Sequence, residues 1–163
     1  MIPKELRQEL QDRIASAISN REAAVEVMKM LQRHYGWLSD EAVHEAAELL
    51  GLSPLQVEEL ATFYEMIYRR PVGRRVIHVC DSISCWSVGC EAIMEHLQKR
   101  LGVGPGETTA DGVFTLIPCC CLGNCGEGPT MMIGDTLHGR LTPDRVDEIL
   151  AEELKAIITA DER

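Results

Sequence analysis

Pro118-Cys119-Cys120-Cys121-Leu122-Gly123-Asn124-Cys125-Gly126-Glu127-Gly128-Pro129 is the stretch on which the fold turns. It gathers four of the seven cysteines between glycines and prolines. A second knot lies upstream, Val79-Cys80-Asp81-Ser82-Ile83-Ser84-Cys85-Trp86-Ser87-Val88-Gly89-Cys90. Two cysteine-bearing loops far apart in sequence point to one object held between them.

The segments around these loops predict how they meet. Arg75 to Cys80 is a β-branched run that reads as a strand and delivers Cys80 to a loop. Val88 to Leu101 reads as a helix with Ile93, Leu97 and Leu101 on one side. Val113 to Ile117 is a second strand that also ends in cysteines. Thr130–Ile133 and Thr136–Arg140 flank Gly134-Asp135, an acceptable two-residue hairpin turn. Thr142-Pro143-Asp144 opens a last helix, with Val146, Ile149, Leu150 and Leu154 along its buried side. Strand, helix, strand, hairpin, helix is a thioredoxin-like order. In a parallel strand–helix–strand unit both strands end on one edge of the sheet. That edge receives both cysteine loops.

The first half is helical. Leu6, Leu10, Ile14, Ala17 and Ile18 follow a helical period from Lys4 to Ser19. Asn20 can cap a second helix that carries Ala24, Met28, Leu31 and Tyr35, with Gly36 ending it. A third starts at Ser39 or Asp40, buries Val43, Ala46, Ala47 and Leu50, and stops at Gly51. Ser53-Pro54-Leu55-Gln56 combines a cap, a proline at the first helical position and a capping-box Gln. Val57, Leu60, Ala61 and Tyr64 form the stripe of this fourth helix. Ala61-Thr62-Phe63-Tyr64 has two readings, bundle core or a docking face for a partner. Arg69-Arg70-Pro71-Val72-Gly73-Arg74-Arg75 marks a boundary, either a solvated linker or a basic strap for an acidic neighbour. The fold class is therefore α+β: a helical bundle over 1–72, then a thioredoxin-like α/β domain over 73–163.

Composition narrows the function. The 163 residues are 45% hydrophobic and 26% charged, ordinary for a globular protein. A net charge of −10 argues against nucleic acid and against anionic lipid surfaces. No run reaches the roughly 18 apolar residues of a membrane helix. Met1-Ile2-Pro3-Lys4-Glu5 leads into a charged helix, not a signal peptide. The expected location is cytoplasmic, where thiols stay reduced, so seven cysteines point to metal or redox chemistry.

Spacing leaves the metal open. Candidate ligands are Cys80 and Cys85, then Cys125 with one of Cys119, Cys120 or Cys121. Cys80-x₄-Cys85 and Cys121-x₃-Cys125 fit zinc knuckles as well as a four-thiolate 2Fe–2S cluster. No pair has the C-x-x-C spacing of a thiol oxidoreductase. Gly123, Asn124, Gly126 and Gly128 suit a cluster, since they let backbone N–H groups approach its sulfurs. No Lys or Arg lies between Val76 and Gln98 or between Val113 and Gly139, while Asp81 and Glu127 are negative. An added electron then finds no nearby cation, which predicts a low reduction potential. Cys90 reads as a small apolar helix residue, Cys119 and Cys120 as strand-end residues, and Trp86 as packing or as a shield over the site.

Taken together, Pro71-Val72-Gly73-Arg74, Cys80-Asp81-Ser82 with Cys85, Gly104-Pro105-Gly106-Glu107-Thr108-Thr109, and Cys121-Leu122-Gly123-Asn124-Cys125 with Gly128-Pro129 carry a resemblance. The chain resembles the E-subunit family of bacterial respiratory NADH:quinone oxidoreductases (complex I), the thioredoxin-like 2Fe–2S ferredoxins. The helical half with Ala61-Thr62-Phe63-Tyr64 is similar to that family too, and the likeness covers nearly the whole chain. The resemblance implies Cys80, Cys85, Cys121 and Cys125 as ligands of one 2Fe–2S cluster. It implies docking on a partner subunit that holds FMN and NADH, in a peripheral arm attached to the inner membrane through other subunits. It also places Pro129 where thioredoxin folds carry a cis-proline.

Two rivals stand beside this. One is the equivalent small subunit of an NAD-linked hydrogenase or formate dehydrogenase. The other is a zinc-stabilised interaction module with no redox role. No G-x-G-x-x-G fingerprint follows a strand, so no NADH site is expected in this chain. No catalytic acid–base pair is expected either.

Overall fold

A computed structural model of the chain describes residues 2–161. It falls into two compact units that divide between Val72 and Gly73.

The first unit holds four helices, α1 (Lys4–Ser16), α2 (Asn20–Tyr35), α3 (Asp40–Leu50) and α4 (Pro54–Phe63). Leu10, Val27, Met28, Leu31, Leu38, Ala46, Leu50 and Val57 are fully buried at its centre. The caps explain the boundaries. Gly36 and Gly51 end α2 and α3 in the left-handed conformation. Ser53 and Gln56 form the expected capping box, the Ser53 hydroxyl accepting from the Gln56 N–H at 3.3 Å and Gln56 Oε1 from the Ser53 N–H at 2.9 Å. Such a cap stabilises by about 1 kcal/mol.

Three details of the helical unit differ from expectation. Helix α1 ends at Ser16, and Ile18 is 97% exposed in the connection rather than on the stripe. Ser19, not Asn20, caps α2, accepting from the Glu22 N–H at 3.2 Å. Asn20 instead donates to the Leu50 carbonyl at 2.7 Å, tying α2 to the end of α3. Tyr64 lies past the end of α4 and is exposed, as is Phe63, and their rings meet edge to face at 5.2 Å. Of the quartet Ala61-Thr62-Phe63-Tyr64, only Ala61 belongs to the core.

The arginine run is held within each unit. Arg69 binds Glu58 at 2.9 Å, Asp40 at 2.7 Å and the Leu38 carbonyl. Arg74 pairs with Asp161 at 2.6 Å and Arg75 with Glu153 at 2.7 Å. Those three arginines thus find acidic partners in their own chain.

The second unit is a four-stranded sheet in the order β2-β1-β3-β4, with β1 (Arg75–Cys80), β2 (Phe114–Cys119), β3 (Met131–Ile133) and β4 (Thr136–His138). Strands β1 and β2 are parallel; β1 with β3 and β3 with β4 are antiparallel. Helices α5 (Ile83–Trp86) and α6 (Cys90–Leu101) cross from β1 to β2, and α7 (Pro143–Asp161) closes the chain. Ile77, Leu97, Leu116, Met131, Ile133, Val146 and Ile149 form the core. Pro118 sits inside β2, which is tolerated because β2 is the edge strand and its missing N–H breaks no inner ladder. The helix expected over Val88–Leu101 starts at Cys90, after Gly89 in the left-handed region, and α5 is a separate turn before it that was not expected. On α7, Leu154 is 39% exposed and Ile157 is buried in its place.

Candidate cluster site

Cys80 ends β1 opposite Cys119 at the end of β2, and the Asp81 N–H donates to the Cys119 carbonyl at 3.1 Å. The two loops therefore leave the sheet from one edge, as parallel pairing requires.

The first loop turns at once into α5, which brings Cys85 back against Cys80. Both are 2% exposed and lie in one buried cluster. Cys90, at the start of α6, is buried beside them, and Leu122 of the second loop packs against this cluster. Burial pushes the Cys85 thiol up, and contact with Cys80 adds to the shift. Hydrogen bonding from Thr130 opposes it. Burial also raises Cys90, reinforced by negative charge at Glu91, Cys80 and Asp81.

The second loop holds an exposed pair. Cys121 Sγ and Cys125 Sγ are 3.3 Å apart. Gly123, at φ 79°, turns the chain between them, and its N–H donates to Cys121 Sγ at 3.4 Å. This is the amide-to-sulfur contact that the glycine-rich sequence foreshadows. Gly128 contributes differently, by lacking a side chain: a Cβ there would lie 2.9 Å from Val88 Cγ2 and 3.5 Å from Cys85 Sγ. The Gly128–Pro129 bond is cis.

A return segment braces the second loop. After Cys125 the chain makes a short 3-10 turn, Cys125–Glu127. The Arg140 N–H donates to the Glu127 carbonyl at 2.5 Å, and Arg140 Nη2 to Glu127 Oε1 at 2.8 Å. Gly139 passes so close that a Cβ would fall 2.7 Å from the Glu127 carbonyl oxygen. The expectation of no nearby cation is corrected here. Arg140 lies one residue beyond the charge-free window and reaches back to neutralise Glu127.

The sequence-derived residues are thus brought together as two close pairs, Cys80 with Cys85 and Cys121 with Cys125. Among the described residues no group of three or more His, Cys, Asp or Glu side chains converges on a single ion position. Cys119 is buried in β2, and Cys120 is exposed. Ile83, Trp86 and Val88, flanking Cys85, are 74%, 54% and 53% exposed, so Trp86 is not a sealed lid. Sequence reasoning missed Thr130 and Arg140. A lone threonine between Pro129 and an apolar strand was the available sign of the first.

Comparison with known proteins gives a consistent result. Residues 10–154 match the thioredoxin-like [2Fe-2S] ferredoxin family. The chain is 48% identical over 130 residues to the E subunit of the NADH-quinone oxidoreductase of Escherichia coli K12, covering 80% of this chain and 78% of that one. The E subunit of the Pseudomonas aeruginosa PAO1 enzyme matches at the same identity and coverage. A crystal structure of air-oxidized NAD+-reducing [NiFe]-hydrogenase superposes with a TM-score of 0.67 at 24% identity, over 80% of this chain and 23% of that chain, a likeness of fold. The chain belongs to the thioredoxin-like [2Fe-2S] ferredoxin family, among the members that are E subunits of NADH-quinone oxidoreductases.

Proposed function

We propose that the chain is the electron-transfer subunit of a bacterial NADH:quinone oxidoreductase, with one 2Fe–2S cluster held by Cys80, Cys85, Cys121 and Cys125. The observation that carries this is the pairing of the four thiols at one sheet edge, one pair buried and one exposed. A cluster with two thiolates on each iron needs two close pairs, and the residues present fit it. When bound, the cluster supplies one-electron exchange with FMN in a partner subunit that also binds NADH.

The chain's own residues do the rest. Cys80 and Cys85 anchor the group inside the fold, and Leu122 keeps water from that side. Gly123 turns its N–H toward the Cys121 sulfur. Cys121 and Cys125 stand at the surface, where a partner can approach closely. Ile83, Trp86 and Val88 offer that partner an apolar rim. In this reading, 73–163 is the cluster domain and 1–72 a helical domain. The chain reaches the membrane only through other subunits; among the described residues no helix is long and apolar enough to cross one.

The test is anaerobic purification of the native protein with iron and acid-labile sulfide analysis. Equal iron and sulfide, a visible chromophore and a paramagnetic signal after reduction are expected, together with co-purification of a flavin subunit. Cys121→Ala loses the cluster; Cys119→Ala and Cys120→Ala keep it. A colourless, zinc-loaded protein would overturn the reading.

A further inference from the structure

We infer that Cys121 and Cys125 are also a redox-modification site: before a cluster is bound, a low-molecular-weight disulfide such as oxidised glutathione converts them into an intrachain disulfide and withdraws them from loading. The disulfide itself needs no cluster. Its effect on loading rests on the ligand assignment above and deepens it.

Position sets this pair apart from the other cysteines. Cys121 Sγ and Cys125 Sγ lie 3.3 Å apart, and both residues are exposed. A disulfide bond of about 2.0 Å asks the sulfurs to close by roughly 1.3 Å. Cys80, Cys85, Cys90 and Cys119 are buried, out of reach of a dissolved oxidant. Cys120 is exposed too, but it adjoins Cys121 in the chain. Successive Cα atoms are about 3.8 Å apart, short of the roughly 4.4–6.8 Å that a disulfide spans, so those neighbours do not join without strain.

The local backbone favours closure. Gly123, at φ 79°, folds the chain back between the two cysteines, a left-handed turn that a glycine makes without strain. Its N–H points at Cys121 Sγ from 3.4 Å. Cys125 opens the 3-10 turn Cys125–Glu127, and Arg140 ties down the end of that turn. Turn and brace together keep the sulfurs facing each other.

The chemistry is thiol–disulfide exchange. One sulfur of the pair, as thiolate, attacks the small disulfide and expels one small thiolate, leaving a mixed disulfide on the protein. The second sulfur, 3.3 Å away, attacks the protein sulfur of that mixed disulfide and expels the other. The S–S bond of the reagent is broken and one forms in the protein. The pair loses two electrons, the reagent gains them, and the two thiol protons end on the two small thiols. The second attack lies within the chain, so it outpaces return of the expelled thiol. Only a thiolate ligates metal, so the closed pair takes no iron until a dithiol reduces it.

The experiment uses the full chain, purified anaerobically, stripped of metal by a chelator and treated with oxidised glutathione. Thiols are then alkylated and mapped by mass spectrometry. The expected product has lost two hydrogens and carries a link between Cys121 and Cys125, while Cys80, Cys85, Cys90 and Cys119 are alkylated after unfolding. Cys120→Ser closes as wild type does; adding Cys121→Ser to it leaves a glutathionyl group held on Cys125. Oxidised wild type takes up no iron and sulfide until dithiothreitol is added. Unreacted thiols, a lasting glutathionyl adduct on wild type, or a link that falls on Cys120 or among the buried four would overturn the inference. Failure of the ligand assignment looks different: the Cys121–Cys125 link would still map, but the oxidised chain would load as the reduced chain does, and so would Cys121→Ala.

Discussion

Cys80 and Cys119 are register partners across the parallel β1–β2 pair, and it is Cys80 that joins Cys85 in the buried cluster at the site. Cys119 completes the strand, and the pair on its side of the edge forms two residues later, at Cys121 with Cys125. The sheet thus sets where the two loops leave, and the loops choose which sulfurs meet.

Close approach at Gly139 gives the first prediction. A Cβ there would stand 2.7 Å from the Glu127 carbonyl oxygen and 2.9 Å from Asn124 Nδ2. Backbone cannot yield as a side-chain tip does, so Gly139→Ala pushes the Cys125 turn away from the return segment. We expect about 1–3 kcal/mol of destabilisation, as for overpacking elsewhere, together with faster iron release to a chelator. Gly126→Ala is the control, since nothing lies within 4 Å of its Cβ position. It should stay within about 0.5 kcal/mol of wild type. Equal melting curves for the two variants would show that the brace does not matter.

Much of this was legible in the letters, for local reasons. The β-branched run ending at Cys80 and the strand ending near Cys119 fix a parallel pair, and a parallel pair fixes the shared edge. Ser53 with Gln56, and Gly36 and Gly51, act through their own backbone, so the sequence alone displays them. What stayed hidden depends on distant partners. Asn20 was free to cap until the Leu50 carbonyl claimed it. Helix α5 is one turn long, too short to show a period. Arg140 lies 13 residues from Glu127, outside any window that treats charge as local.

Acid sensitivity follows from His138. Its Nε2 is buried with no hydrogen-bond partner. Burial lowers its pKa from 6.5, and Arg145 lowers it further, against the opposing pull of Glu153 and Glu152. The folded state therefore takes up its proton at lower pH than the unfolded chain does. Above the unfolded pKa of about 6.5 this costs nothing. As pH falls below that value and through the depressed folded pKa, the unfolded state gains protons first and stability is lost. Denaturant midpoints measured from pH 7.5 to pH 5 should decline in wild type and decline less in His138→Gln. Parallel curves would assign the acid loss to other groups.

Arg140 and Glu127 set the charge beside the exposed sulfur pair. With the pair intact, the turn after Cys125 presents an almost neutral ion pair; without Arg140 it presents a bare carboxylate two residues from a proposed ligand. Arg140→Gln should therefore shift the reduction potential negative, and Glu127→Gln should shift it positive, because the reduced form carries the extra negative charge. The arginine side chain is 77% exposed and the glutamate 44%, so both shifts should be modest and shrink as salt rises and the screening length falls from about 10 Å at 0.1 M. The double variant should lie near wild type. Redox titrations at low and high salt separate this from a purely structural effect: if both single variants move the potential the same way, unmoved by salt, then the Arg140 N–H to the Glu127 carbonyl, and not the charge, governs the site.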